Sequence, residues 1–396
     1  MSNKNFIKDF IGIQEVNITN YEETEKEIFL HIELEVKEHK CPCCSEPTTR
    51  IHDYRIQRVT DIPYRNKKVI FVYRKRRYVC PHCGKRFYEE NTFLPRYHQM
   101  TNRLSAYIIE RLRNTDSFSK IAREVGKSTS TVIRVFDLLS FSKPKLPKVL
   151  SIDEFKGNTG KEKYQVIITN PATHQVLDIL ESRKKLDLIQ YLREYDKTER
   201  LKVEYFISDM YKPYKEIAQT YFKNATIITD KYHWIRQSTW AIERVRKDIQ
   251  KKFSKEYRIY FKHSRKLLLA YYDKLNLEQQ QQVNVMLSVS ADLSTAHFLK
   301  EWMYKILKID NKEIAIKEFK QWIDEANESG IKEFQSATTA YKNWYREITN
   351  SFCQNLTNGF TEGCNNKIKV LKRNAYGYQR FDRFRKRILF MFTEAA

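Results

Sequence analysis

Residues 148–182 read KVLSIDEFKGNTGKEKYQVIITNPATHQVLDILES, and this stretch decides the fold of the larger part of the chain. Three apolar runs at 149–155, 164–169 and 176–180 are separated by short stretches holding Gly157, Asn158, Gly160, Asn170 and Pro171. They predict three consecutive strands joined by turns. Two more runs follow at 203–208 and 226–229, each after a helical stretch, at about 184–196 and 213–223. Three strands, a helix, a strand, a helix and a strand predict an α/β sheet with a leading meander.

Downstream, 234–350 is rich in Lys, Glu, Gln, Leu and aromatics at helical spacing with no strand-like run. A basic helical segment is expected from about 361 to 393. Upstream, Lys143-Pro-Lys-Leu-Pro147 is the clearest linker, because two prolines interrupt any helix. Before it come three short helical segments from 104 to 141, two strand-like stretches between 41 and 93, and EIFLHIELEV, which alternates as a strand does. These breaks divide the chain into 1–98, 99–142, 148–233, 234–350 and 351–396.

The chain has 396 residues, with 72 Lys and Arg against 49 Asp and Glu, a formal charge of +23. Apolar residues at 41% and aromatics at 13% exclude a disordered polyelectrolyte. No apolar run approaches the ~18 residues of a membrane span, so no membrane partner is expected. The first residues, MSNKNFIKDFIG, carry charges where a signal peptide needs an apolar core, so a cytoplasmic protein is expected. A folded, strongly basic chain points towards nucleic acid.

Cys41-Pro-Cys-Cys44 and Cys80-Pro-His-Cys83-Gly84 are two C-P-x-C turns. Two thiolates three positions apart share one tetrahedral zinc, and two such turns complete a four-sulfur structural site. Cys41, Cys44, Cys80 and Cys83 are the expected ligands, with Cys43 and His82 as bystanders; the alternative is a set of buried free thiols. Between and beside the turns, Arg74, Lys75, Arg76 and Arg77 stand among aromatics, a density of like charge that suggests phosphate contact. A solvated charged surface is the other reading.

Ser117 to Gly126 followed by Lys127 to Phe136 fits a helix-turn-helix. Gly126 permits the turn, and Ser128 or Ser130 can cap the second helix. Val132, Ile133 and Phe136 should pack inward, leaving Lys127, Thr129, Thr131 and Arg134 for a DNA groove. A plain helical hairpin is the alternative.

Three carboxylates stand out by position. Asp153 lies near the end of the first strand of the sheet, Asp209 ends the fourth, and Glu362 starts the last basic helical segment. Carboxylates converging from strand ends and a helix suit two magnesium ions, which take oxygen ligands and serve in-line phosphodiester chemistry. Other readings are a turn residue for Asp153, a helix cap for Asp209 and a favourable helix-terminus charge for Glu362. Asp230 and His233, after the fifth strand, are candidates for a supporting role. Glu154 should point away from Asp153. On an ideal helix Asn366, Lys369 and Arg373 follow Glu362 along one face. Arg380, Arg383, Arg385, Lys386 and Arg387 should extend the positive surface.

Taken together, the paired knuckles with RRYVCPHCGKRF, then SIDEFKGNTGKEKYQVIITN, ISDMYKPY, ITDKYHWIRQ and TEGCNNKIKVLKRNAYGYQRFDRFRKRIL, resemble the DDE transposases of bacterial insertion sequences, specifically the ISL3 group. The resemblance implies a zinc-ribbon-like module over 1–98 and a helix-turn-helix over 99–142. It implies a ribonuclease H-like α/β catalytic core over 148–233 and 351–396, interrupted by an all-helical insertion over 234–350. Carried onto this chain, the acidic triad falls on Asp153, Asp209 and Glu362, the zinc ligands on Cys41, Cys44, Cys80 and Cys83, and a D-x-x-H element on Asp230 and His233. Ser45 stands where Gly is more usual. The activity implied is binding of the terminal inverted repeats of the element, then cleavage and strand transfer into target DNA. It would use two Mg2+ or Mn2+ ions and one structural Zn2+, in a homodimer on paired ends and on the bacterial nucleoid. A DNA-binding regulator and a structure-specific nuclease built from the same modules are the alternatives.

Overall fold

A computed structural model describes Ile13 and residues 15–160, 162–352 and 356–393; the charged N-terminal stretch lies outside these residues. The chain forms two compact units, Met1–Phe141 with Val370–Phe392, and Ser142–Lys369 with Thr393–Ala396.

The first unit begins with strands β1 (Val16–Glu23) and β2 (Glu27–Leu34). In β2 buried and half-exposed residues alternate along the whole strand, as its sequence predicts. Short strands β3 (His39–Lys40) and β4 (Pro47–Thr48) flank the first cysteine turn, and β7 (Arg86–Tyr88) follows the second. Between them runs a long hairpin of β5 (Ile51–Tyr64) and β6 (Lys67–Val79). The sheet order is β1-β2-β6-β5, with β7 also on β6. Its inner face buries Ile28, Leu30, Ile32, Val59, Phe71 and Tyr73 against Phe93 and Leu94. Each such side chain is worth roughly 1.5–3 kcal/mol of burial.

Three helices complete the fold of this segment: α1 (Asn102–Arg111), α2 (Phe118–Glu124) and α3 (Thr129–Asp137). Each starts at a hydroxyl cap: Thr101 accepts from Leu104 N, Ser117 from Lys120 N and Ser128 from Thr131 N. Gly126, between α2 and α3, has φ 63°, a left-handed turn that favours glycine.

Val370–Phe392, within the 351–396 segment expected to be the last part of the core, clusters with the first unit. The last helix buries Phe390 in the same core as Leu104, Ile121, Val132 and Phe136. Its apolar stripe finds its partner in the three-helix segment, a long-range pairing that periodicity cannot specify.

The second unit holds β8 (Val149–Thr159), β9 (Glu162–Asn170), β10 (Gln175–Leu180), β11 (Tyr205–Ser208) and β12 (Thr226–Thr229). Helices α4 (Lys185–Arg193), α5 (Lys197–Arg200) and α6 (Lys212–Tyr221) connect the last three strands. The order is β10-β9-β8-β11-β12. β8, β9 and β10 pair antiparallel, while β11 is parallel to both β8 and β12. After β12 the described residues to 352 are helical: α7 (Lys231–Lys251), α8 (Lys255–His263), α9 (Arg265–Leu269), α10 (Leu277–Ser288), α11 (Ala291–Ile306), α12 (Lys312–Glu328), α13 (Lys332–Asn343) and α14 (Tyr345–Thr349). They enclose their own core around Trp234, Phe319, Trp322 and Tyr341. The Tyr341 hydroxyl donates to the Trp234 carbonyl at 2.8 Å, so this buried phenol is satisfied. Helix α15 (Gly359–Asn374) returns to the sheet, where the Thr361 and Thr169 hydroxyls meet at 2.8 Å. Helix α16 (Phe381–Phe392) ends the described chain. No helix among the described residues is long and apolar enough to cross a membrane.

Candidate functional site

Two groups of ligand-type side chains form in the molecule. In the first unit, the sulfurs of Cys41, Cys44, Cys80 and Cys83 all lie within 4.8 Å of one another. A tetrahedral zinc with Zn–S near 2.3 Å requires sulfurs ~3.8 Å apart, so the four thiols fit it. The two turns are built alike. Ser45 N donates to Cys41 O and Gly84 N to Cys80 O, at 2.9 and 3.0 Å. The turn residues Ser45 and Gly84 have φ 62° and 70°. Ser45 therefore does what glycine does in the second turn, under strain. Cys43 is exposed and stands outside the cluster, as its spacing predicts.

In the second unit, carboxylates gather where β11 and β12 end; Asp153 is corrected, since it lies in the middle of β8, which runs on to Thr159, and not near a strand end. Ile207 pairs with Ser151 in parallel register, so Asp209 and Asp153, each two residues on, lie side by side. Ser208 pairs with Thr229, which sets Asp230 next to Asp209 on the other side. Asp230 N donates to Ser208 O at 2.9 Å, tying the two strand ends together. Asp230 Oδ1 accepts from Asn358 N at 3.3 Å, and His233 Nε2 is 3.9 Å from its Oδ2. Asn358 also accepts from Ser151 Oγ at 2.6 Å, so the start of α15 is bound to the same strand ends.

Burial in this acidic pocket disfavours ionisation. Asp209 is pushed up to about 7 by desolvation, then by the neighbouring charges of Glu154 and Asp153. Asp153 and Asp230 are raised too, again chiefly by burial. Asp153 Oδ1 accepts from Glu154 N and its Oδ2 from Asn365 Nδ2, both at 2.8 Å. Asp209 Oδ1 and Asn365 Oδ1 are buried without a hydrogen-bond partner. Unpaired buried oxygens beside destabilised carboxylates suit a divalent cation, which would satisfy both. Glu362 lies in the first turn of α15, is exposed, and acts electrostatically on Asp230. Among the described residues only the four cysteines bring three or more ligand atoms within 4.8 Å. The acids converge without closing a cage.

Glu154 turns to the other face from Asp153, as strand alternation predicts: Arg183 donates to it at 2.7 Å and Tyr214, packed with Leu150 and Ile152, at 3.1 Å, while its charge is still felt at Asp209. One residue was missed by the sequence reasoning. Asn365, not Asn366, reaches Asp153; three positions after Glu362 it is on nearly the same helix face, and that spacing was the available signal.

The expected DNA contacts divide into cations at the surface and cations committed inside the fold. Arg74 stands 3.8 Å over the Tyr54 ring and Lys75 4.7 Å over Tyr88. Arg77 is bound to Asp53 at 2.6 Å. Arg76 is corrected: it is buried, donating to Leu34 O at 2.6 Å and Glu89 Oε2 at 3.3 Å, so its charge is spent inside the fold. Glu89, which also accepts from Tyr73 at 2.7 Å, is the partner that drew it in. On the helix-turn-helix, Thr129 and Arg134 are exposed, while Thr131 is held by the Ser128 cap and Lys127 donates to Gln99 O at 3.2 Å. Lys369 and Arg373 are exposed on α15, at the end of the second unit and within the first. Arg387 is corrected as well. It is fully buried and donates to the carbonyls of Leu112, Asn114 and Asp116, closing the end of α1. Arg383 and Lys386 are likewise engaged, both with Asp137.

Three family models match the chain in tandem. One for the zinc-finger of transposases IS204, IS1001, IS1096 and IS1165 matches residues 37–83, and one for the helix-turn-helix domain of transposase family ISL3 matches 89–139. A third, for the transposase of the same group, matches 150–388, more than half of the chain. A transposase for insertion sequence element IS1001 from Bordetella parapertussis is 26% identical over 366 residues, 90% of each chain. An ATP-dependent protease from Lactococcus lactis subsp. lactis is 41% identical over 56 residues, 14% of this chain and 18% of its own length. So short a match carries no argument about activity.

Proposed function

The chain belongs to the ISL3 family of insertion-sequence transposases, and on that premise we propose that it binds the terminal inverted repeats of its own element and cuts and joins DNA at the carboxylate cluster. It is an enzyme acting on DNA, with a zinc-ribbon module and a helix-turn-helix that binds DNA. The finer reading is a ribonuclease H-like core, supported by the order β10-β9-β8-β11-β12 with its antiparallel meander and parallel pair. The helices from α7 to α14 then form an insertion between Asp230 and Glu362.

The observation that supports the mechanism is the convergence of buried, hard-to-ionise carboxylates on three neighbouring strands, Asp153 within β8 and Asp209 and Asp230 just past β11 and β12. Asp153, Asp209 and Glu362 would hold two Mg2+ or Mn2+ ions, with Asp230 and His233 beside them. Bound divalent cations supply Lewis acidity to the attacking and leaving oxygens of a phosphodiester. The chain's own residues then have separate tasks. Asn365 orients Asp153 through its amide N–H. Arg183 and Tyr214 hold Glu154 in place, where its charge helps keep Asp209 hard to ionise. Exposed Arg74, Thr129, Arg134, Lys369 and Arg373, with half-buried Lys75, offer cations and hydroxyls to DNA phosphates and grooves. A homodimer on paired ends is the assembly such joining requires, and the nucleoid in the cytoplasm is the place for it.

The test is labelled DNA carrying the element's own ends, incubated with the zinc-loaded protein and Mg2+ or Mn2+. Cuts at the ends, and joined product, lost in Asp153→Asn and Glu362→Gln while DNA binding persists, are expected. Cleavage without joining would favour a nuclease. Binding without cleavage would favour a regulator.

A further inference from the structure

Helix α7 starts at Asp230 and carries a second feature that the carboxylates do not use. Tyr232, Arg236, Trp240 and Glu243 recur at three- to four-residue intervals, so one stripe of the helix lines a cavity of about 340 Å3, with Arg265 and Tyr304 on its other wall. Trp240 is 46% exposed and Tyr232 53%, two large rings left open to solvent beside the helical core. Such rings are normally buried or covered by a partner. The Arg236 guanidinium stands 4.4 Å from the Trp240 ring centre and 5.3 Å from that of Tyr232. Its Nε is buried without a hydrogen-bond partner. Glu243 adds little negative field, because Arg246 and Arg265 bind it at 2.7 and 3.2 Å.

Flat aromatic faces with an arginine donor in reserve are the chemistry of an unstacked nucleobase and its phosphate. The cavity is too small for a duplex and has room for a single nucleotide. At ~1.5 Å of rise per residue, Trp240 lies about 15 Å along the helix from Asp230, within reach of a strand whose phosphate is at the carboxylates. We propose that this cavity takes one unpaired base about two nucleotides from the cleaved phosphodiester, stacked on Trp240, with Arg236 on the adjoining phosphate. Holding that base out would offset the few kcal/mol of unstacking and keep the end open for reaction. The proposal rests on the cleavage reading given above.

The experiment uses the full zinc-loaded chain and DNA ends with iododeoxyuridine placed in turn at each terminal nucleotide. Irradiation should crosslink one position to Trp240 or Tyr232, read by mass spectrometry. Trp240→Ala and Arg236→Ala should each weaken binding of an end with a short single-stranded extension by about 5- to 100-fold. Affinity for a fully paired internal repeat should stay within twofold, which also reports that the variants are folded. Crosslinks confined to other residues, with unchanged affinity in both variants, would overturn the proposal. So would a change in the DNA-free oligomeric state of Trp240→Ala with unaltered DNA binding, since the rings would then seat a second copy of the chain. If the unmodified protein binds its ends but never cuts them, the cleavage reading has failed; if it cuts normally and no crosslink reaches α7, only the cavity has.

Discussion

The cysteine cluster and the carboxylate cluster are built in opposite ways. The four thiols come from two turns of four residues, each closed by its own backbone hydrogen bonds, and they meet at one point. The acids come from the middle of one strand, the ends of two others and a helix start, as far apart in sequence as Asp153 and Glu362. They meet only because β11 and β12 end level with Asp153, which lies mid-way along the neighbouring parallel strand β8. The first cluster is complete in itself. The second is left with partnerless buried oxygens and carboxylates that resist ionisation, so its stability and its chemistry depend on what binds there. A local motif gives a closed thiol site; a topological convergence gives an open acidic one.

That contrast breaks most visibly at the thiols. Cys80→Ser should abolish zinc binding, a loss on the order of 10 kcal/mol of coupled folding energy, and with it DNA affinity. Metal analysis and a gel-shift assay read both, while the second unit should keep its helical circular-dichroism signal. Next, Arg387→Ala should cost about 3–5 kcal/mol, because three carbonyls at the end of α1 lose a buried cation. Denaturant melts check it.

At the acids the sign reverses. Asp209→Asn should stabilise the metal-free protein at pH 8, by on the order of 2–4 kcal/mol. The carboxyl titrates at about 7 in the fold and near 3.8 when unfolded, so the folded state binds more protons between these values and stability falls as pH rises through them. The gain in the variant should therefore vanish below pH ~4. Removing the amide that orients Asp153, in Asn365→Ala, should weaken Mn2+ binding about 10- to 100-fold without changing zinc content, as read by calorimetry. The smallest effect is expected at Ser45→Gly, which relieves a left-handed serine and should add about 0.5–1 kcal/mol to the thermal stability of the zinc module.

Much of this was legible in the sequence because it is local. The thiol spacing, the hydroxyl caps, the turn at Gly126 and the apolar runs of the sheet all depend on neighbours a few residues away. The buried arginines were not legible. Arg76 reads like Arg74, and only the folded position of Glu89 removes it from the surface. Arg387 looks like part of a basic tail until its helix is seen to close α1, whose carbonyls are more than 270 positions away. The same holds at the acids. Strand alternation sets Glu154 on the other face from Asp153, but does not foretell that Arg183 and Tyr214 hold it there with its charge still felt at Asp209. An ideal helix favoured Asn366, whereas the actual docking of α15 presents Asn365.

On the reading proposed above, the carboxylate cluster, and not the cysteine cluster, holds the reactive divalent cation. Iron-directed backbone cleavage tests it most directly: with zinc left in the thiol site, Fe2+ and ascorbate replace Mg2+, and radicals cut the chain beside the bound ion. The account predicts fragments ending near 153, 209 and 362, suppressed by excess Mg2+ and absent in Asp153→Asn. Fragments confined to the zinc module or to acidic residues elsewhere, or an unchanged pattern in that variant, would contradict it.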